Sequence, residues 1–416
     1  MSKPVVVSEK HDLKNHVHCD CSMAAGEREG WQSVLADKIH SRSWPRDLQP
    51  IALKIATGQS LDLEDGMVLF NTTEFNSLGE LALMCKESRY GNSAFFNLNV
   101  HINQTNICTL ACRFCAFRRG RRAADAYAMD IDEYVADVAK YADHVDEVHS
   151  VGGLHPEWGI EHYEEMFSRA KQTFPHIHFK GLTAIEIKHI SSLSEISVKE
   201  CLTRLHNAGL GSLPGGGAEI LDDDVRNIIC KGKESSQEYL DIHRTAHQIG
   251  MPTNCTMLYG TIETIEQRIV HLIRLRELQN ETNGFQCFVP YPFLPDDSRL
   301  PEAQLASGVE ILRMIAISRL MLDNIPHIKA YRMNIGDYLA GLALQFGADD
   351  IDGTVQKESI MHLAGSTTPL DHDATAMAKL VEDAGARPIQ RNTVYDKFEE
   401  YIAPIPKRRV SLRMAE

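Results

Sequence analysis

Apolar residues recur along this chain in two alternating rhythms. Short runs of four to nine residues are apolar throughout or alternate strictly, and between them lie longer stretches in which apolar positions return every three or four residues. The first rhythm predicts strands at 95–103, 147–152, 178–186, 209–214, 252–260, 285–290, 327–333 and 349–353. The second predicts helices at 130–144, 160–174, 196–208, 235–249, 263–281, 302–323 and 335–347. Gly209, Gly250 and Gly347 each follow the last apolar position of a helix, where a left-handed cap is wanted.

Eight strands with helices between them, over roughly 260 residues, predict an α/β chain folded as a (β/α)8 TIM-type barrel across 93–355. An open doubly wound sheet is the alternative, but such sheets rarely carry eight strands with one helix after each. Ahead of the barrel, Leu53, Ile55, Leu61 to Phe70 and Leu78 to Met84 repeat at helical spacing and predict a helical prelude over 47–92. Residues 1–46 read as an N-terminal extension. Within it His16, His18, Cys19 and Cys21 have metal-ligand chemistry but no second ligand pair, so a solvated tail is expected. Residues 356–416 hold a helical pattern from Thr375 to Ala384 and a basic tail, and are expected to pack on the barrel as a helical extension.

Composition narrows the setting. The 416 residues include 43 basic and 57 acidic side chains, a net charge of −14, which disfavours a nucleic-acid partner. Ten cysteines are too sparse for a disulfide scaffold, and the first thirty residues show no signal-peptide pattern, so a reducing cytoplasmic setting is expected. The longest apolar stretch, Ile311 to Leu322, is broken by Arg313, Ser318 and Arg319, so no membrane anchor is expected.

The candidate chemistry lies at the carboxyl ends of the predicted strands, where a barrel of this kind places its active site. Cys108, Cys112 and Cys115 follow the first strand with the spacing C-x3-C-x2-C. Three thiolates on one short loop can hold three irons of a [4Fe–4S] cube and leave the fourth open to bind and reduce a ligand. A zinc site or three unrelated thiols is the alternative. Phe114 stands where it can shield such a cluster from water. Gly152 and Gly153 end the second strand where backbone can approach a ligand closely. Gly215, Gly216 and Gly217 offer a nest of amides for a carboxylate or other anion. Glu186 lies late in the otherwise apolar stretch 178–186, where burial demands a partner: a ligand ribose or amine, or a structural salt bridge. Glu263 fits either a ligand contact or an ordinary acid in a helix first turn. His155 and Tyr259 end strands and can reach substrate, and Arg332 and Lys188 are candidate counter-charges for an anionic one.

With this triplet inside a βα barrel, the chain resembles the radical S-adenosylmethionine (SAM) superfamily. Its phrases His101-Ile102-Asn103, Cys112-Arg113-Phe114-Cys115-Ala116-Phe117, Val151-Gly152-Gly153-Leu154-His155-Pro156 and Leu213-Pro214-Gly215-Gly216-Gly217-Ala218-Glu219 resemble the aminofutalosine synthase family of the futalosine route to menaquinone. That resemblance implies a [4Fe–4S] cluster on Cys108, Cys112 and Cys115, with SAM as co-substrate held at Gly152, Gly153, Glu186 and Glu263. It further implies the substrate 3-[(1-carboxyvinyl)oxy]benzoate, joined to the adenosyl group to give 6-amino-6-deoxyfutalosine with loss of the carboxyl carbon, and a reductant such as flavodoxin or ferredoxin. The substrate's two carboxylates give the glycine-rich turn and nearby His or Arg side chains a task. Gln104 stands where proline is usual in the family, a change expected to alter only the stiffness of the turn. Related dehypoxanthine futalosine cyclases and deazaflavin synthase subunits share the cysteine spacing, and a protein that only passes electrons is a reading of another class.

Overall fold

A computed structural model describes residues 26–402. The cluster His16, His18, Cys19 and Cys21 and the end of the basic tail lie outside the described residues. The strands are β1 (Ser93–Asn97), β2 (Asn99–His101), β3 (Glu147–Ser150), β4 (His178–Gly181), β5 (Leu210–Ser212), β6 (Thr253–Tyr259), β7 (Phe285–Pro292), β8 (His327–Ile328), β9 (Asp350–Gly353), β10 (Arg387–Arg391) and β11 (Phe398–Glu400). They pair in parallel as β2-β3-β4-β5 and β6-β7-β8, and β1 lies between β9 and β10. Parallel bridges Leu213↔Thr253 and Lys329↔Asp350 join these pieces. Because β1 and β2 are two halves of one strand broken at Leu98, the ring closes on itself as eight parallel strands, the expected barrel.

The apolar core lies outside this ring. Val100, Ile102, Val148 and Phe179 belong to one cluster with helix residues such as Tyr134, Phe167 and Ile187. Alternation sends the other set of side chains inward, and these are polar. Asn97 Nδ2 donates to Glu147 Oε2 at 3.0 Å, Lys180 pairs with Glu147 at 2.6 Å, and Lys329 pairs with Asp352 at 2.7 Å. Charges buried this deeply are tolerable only because each has a partner. Burial alone would raise the carboxyls of Glu147 and Asp352, yet Lys180 and Lys329 respectively hold them well below the ordinary range.

Three expectations are corrected. The stretch 178–186 is a strand only to Gly181, and Ala184–Leu193 is a helix that opens on a capping box, Thr183 with Glu186. The helical prelude begins earlier than residue 47, at Trp31–His40, where Arg89 pairs with Glu27 at 2.7 Å and the Arg89 guanidinium lies over the Trp31 ring. The C-terminal segment is not only helical. After Ala374–Asp383 it adds β10 beside β1, with Arg391 buried on Asp350 at 2.6 Å, and then β11. A further short helix, Asp223–Ile229, lies where the apolar pattern predicts none. Among the described residues no helix is long and apolar enough to cross a membrane.

Candidate active site

The loop after β2 is fastened at many points before any ligand is considered. Asn103 Nδ2 donates to Val151 O (2.9 Å), Cys108 N to Arg119 O (3.0 Å), Thr109 N to Leu154 O (3.1 Å) and Arg113 N to Ile229 O (2.7 Å). Arg299 Nη2 reaches across from a distant loop to the carbonyls of Ala111 (2.8 Å) and Cys112 (3.0 Å). These bonds set Cys108, Cys112 and Cys115 on the wall of a cavity of about 290 Å³ at the carboxyl ends of the strands. Phe114, Gly152, Gly216, Gly217, Glu219 and Lys233 share that wall. All three thiols are free of disulfides and only half-buried. Burial pushes the Cys112 thiol up to about 12 and also raises Cys115, so a metal taking these sulfurs as thiolates must displace protons. Among the described residues no three His, Cys, Asp or Glu side chains gather round one ion. A cube asks for no such convergence, since each of its thiolates binds an iron of its own. Cys230 is close enough to bear electrostatically on Cys112 but is buried away from the cavity.

Residues 102–275 match the radical SAM superfamily, and 282–404 match the CofH/MqnC C-terminal region. The chain is 41% identical to aminodeoxyfutalosine synthase of Thermus thermophilus, over 84% of this chain and 95% of that protein. It is 40% identical to the aminodeoxyfutalosine synthase of Streptomyces coelicolor, over 86% and 96%. The chain belongs to the radical SAM superfamily. A further relative is the cyclic dehypoxanthine futalosine synthase of Streptomyces coelicolor, 35% identical over 84% of this chain and 88% of that one. The solved structure of methylornithine synthase (PylB) superposes with a TM-score of 0.65 at 19% identity, covering 85% of this chain and 97% of that one, which supports the barrel alone. Radical SAM enzymes work with a [4Fe–4S] cluster and SAM, and the cysteine wall, with free sulfurs and a cavity in front of them, fits that group.

The other sequence-selected residues divide by position. Gly152 and Gly153 run against the cysteine loop: Gly152 N donates to Glu186 Oε1 at 3.0 Å, Gly153 N to Thr105 O at 2.8 Å, and a Cβ on Gly153 would lie 2.2 Å from the Ile107 carbonyl oxygen. Glu186 does not face the cavity. Its two oxygens take four donors, from Thr183 N (2.7 Å), Thr183 Oγ1 (2.8 Å), Gly152 N (3.0 Å) and Gln104 Nε2 (3.2 Å). Gln104 thus does more than stiffen a turn, because it ties the β2 loop to the Glu186 helix. Glu263 is likewise turned inward, accepting from Gly260 N (2.6 Å), Thr261 N (2.9 Å), Thr261 Oγ1 (2.6 Å) and Arg268 Nε (2.7 Å). His155 stacks on Trp158 with centroids 4.3 Å apart, and Tyr259 lies under the Arg268 guanidinium, both outside the cavity lining. Arg332 is fully buried on Asp337 (2.7 Å) and Pro369 O (3.0 Å), and Lys188 pairs with Glu238 at the surface. Gly215 stands just behind the lining, its carbonyl accepting from Tyr239 OH (2.7 Å) and Thr256 Oγ1 (2.9 Å).

Sequence reasoning missed Lys233, which pairs with Glu219 at the cavity wall and lies 5.7 Å above the Phe114 ring. Burial works against its charge, but Glu219 and Glu234 outweigh burial and raise its affinity for the proton. His101, His149, Tyr291, Tyr331 and Asn334 line the deeper part. Nothing local to the sequence marks Lys233.

Glu186 carries a pH consequence. Burial pushes its carboxyl from 4.5 up to about 7 despite the four donors. Folding therefore favours the protonated form, and the stability this contributes is full below about pH 4.5 and fades as pH rises through 7. Thermal melts should lose stability across that window, and Glu186→Gln should flatten the slope. An unchanged slope in the variant would show that another group titrates there.

Proposed function

We propose that this enzyme is an aminodeoxyfutalosine synthase, joining the 5′-deoxyadenosyl group of SAM to 3-[(1-carboxyvinyl)oxy]benzoate with loss of the carboxyl carbon, in menaquinone biosynthesis. The observation that carries this reading is identity of 40–41% with two such synthases over nearly their whole length. It exceeds the 35% to a cyclic dehypoxanthine futalosine synthase. Cys108, Cys112 and Cys115 would hold the cluster, which would supply the electron for SAM cleavage. The chain's own part is placement and exclusion of water. Leu110, Phe114, Phe117, Leu258 and Phe293 make an apolar surround in which a reactive radical meets few stray hydrogen donors from solvent. Gly216 and Gly217 allow a ligand to lie against bare backbone, and the Lys233–Glu219 pair presents both signs of charge to a zwitterionic co-substrate. Free cysteines support a reducing, cytoplasmic setting. The deciding experiment incubates reconstituted enzyme, dithionite, SAM and the carboxyvinyl ether without oxygen. The adenosyl adduct in the mass spectrum supports the synthase, and 5′-deoxyadenosine released without any adduct overturns it.

The reductant is read from charge. Thr109 and Ala111, at the tip of the cysteine loop, are exposed, and arginines frame them. Arg118 Nε donates to Leu110 O (2.9 Å), Arg113 and Arg299 are tied together beside Cys112, and Arg119, Arg121 and Arg122 follow in sequence. Glu302, Asp125 and Glu157 pair with three of the six, which leaves a basic excess on a chain of net charge −14. Such a surface suits an acidic flavodoxin or ferredoxin. Raising salt from 0.05 to 0.5 M, about a threefold contraction of the screening length, should slow SAM cleavage driven by reduced flavodoxin several-fold. The dithionite-driven rate should hold, and an equal response of both rates would remove the electrostatic reading.

A further inference from the structure

The cavity has a floor that the cysteine wall does not explain. It is made by His101 at the end of β2 and His149 in β3, which are register partners with ring centroids 4.3 Å apart, and by Tyr331, whose ring lies parallel to His101. His149 is the partly accessible member of the pair, it lines the cavity, and its ring nitrogens have no hydrogen-bond partner among the described residues. His101 Nε2 is buried and equally without a partner. Unsatisfied imidazole nitrogens at the bottom of a pocket are costly unless a ligand or water completes them.

The surroundings indicate what that ligand carries. Beneath the histidines lie the ion pairs Lys180–Glu147 and Lys329–Asp352. The Lys180 ammonium bears on the His149 ring more strongly than either Glu147 or Asp352 does alone, and those two carboxylates oppose it. Glu358 is a carboxylate on the same lining, held by its own neighbours. Its oxygens accept from the backbone of Ile360 (2.8 Å), Met361 (2.8 Å) and His362 (3.2 Å), and His362 Nδ1 lies 3.3 Å from it. A third His, Cys, Asp or Glu to complete a metal site with the pair is lacking among the described residues. Tyr291, Pro292 and Met361 supply flat and apolar surface alongside.

We propose that His149, packed against His101, is the site that receives the carboxylate of an aryl carboxylate substrate, with the aromatic ring resting against the Tyr291 and Pro292 wall. This rests on the synthase reading for the identity of the substrate, and it replaces Arg332 and Lys188 as the anion contact. One N–H from the neutral His149 ring donates to a carboxylate oxygen. His149 is a binding residue here, with no proton transfer required of it.

Equilibrium dialysis of the radiolabelled carboxyvinyl ether against reconstituted wild-type enzyme, His149→Phe and His149→Gln tests the site, with adduct formation by wild type measured in parallel. The phenyl ring keeps the shape and removes the donor, whereas the amide keeps a donor. The expected result is a dissociation constant raised at least tenfold by Phe and less by Gln, with SAM affinity and the visible absorbance of the cluster unchanged in both. Unchanged affinity in His149→Phe, or equal weakening by Phe and Gln, overturns the carboxylate contact. Wild-type enzyme that cleaves SAM but neither binds the ether nor forms adduct overturns the synthase reading itself.

Discussion

Replacing Cys112 by Ala is expected to strip the enzyme of iron and of all measurable SAM cleavage while leaving the barrel folded. The reason is geometric. The loop is held by backbone bonds to Arg119, Leu154 and Ile229 and by Arg299, none of which involves a sulfur atom, so the scaffold survives loss of one thiol. Truncating a half-buried cysteine costs about 1 kcal/mol of stability, a small part of a domain's reserve. Cluster ligation has no such redundancy, because a cube fixed by three protein ligands retains only two. Iron content, visible absorbance, 5′-deoxyadenosine release and a thermal melt together check the outcome, and Cys108→Ala and Cys115→Ala should behave alike. A brown, absorbing variant with normal iron would remove that cysteine from the ligand set.

Gly153→Ala is expected to be nearly as damaging by the opposite route. Its sulfurs are all present, but the added methyl would stand 2.2 Å from the Ile107 carbonyl oxygen and 2.6 Å from the carbonyl carbon. Those are backbone atoms of the segment leading into Cys108, so relief requires the loop or the end of β3 to move. Overpacking of this kind costs about 3 kcal/mol or more. The loss should appear as a lowered melting temperature together with substoichiometric iron. A variant that melts and loads like wild type would show that the close approach has room to relax.

The parts of the fold that were legible in the sequence are those set by local pattern. Eight strand positions and the cysteine loop follow from alternation and spacing, and Gly209, Gly250 and Gly347 do adopt positive φ. The failures arise where local and distant signals compete. Thr183 and Glu186 form a capping box that was present in the letters, but the apolar run from Leu182 to Ile187 looked like continued strand. β10 carries Pro388, a residue that locally disfavours a strand, and the edge offered by β1 is what pairs it there. At the site, Arg332, His155 and Tyr259 stand at the ends of predicted strands, and that position does not say which way a side chain points. Asp337, Trp158 and Arg268, each supplied by tertiary packing, are what turn or hold them away from the cavity. His149 escaped notice for the converse reason: its role depends on pairing with His101 across two strands.

The break at Leu98 has a consequence for biosynthesis. β1 is among the first barrel elements to leave the ribosome, yet it is flanked by β9 and β10, and Arg387 Nη2 reaches Ser93 Oγ across 294 residues of chain. Contacts so remote in sequence form late. A nascent chain that has already exposed its three thiols therefore has no closed ring behind them, and iron offered before translation finishes meets an unformed seat. Loading of a cluster on these thiols is expected to follow closure of the ring.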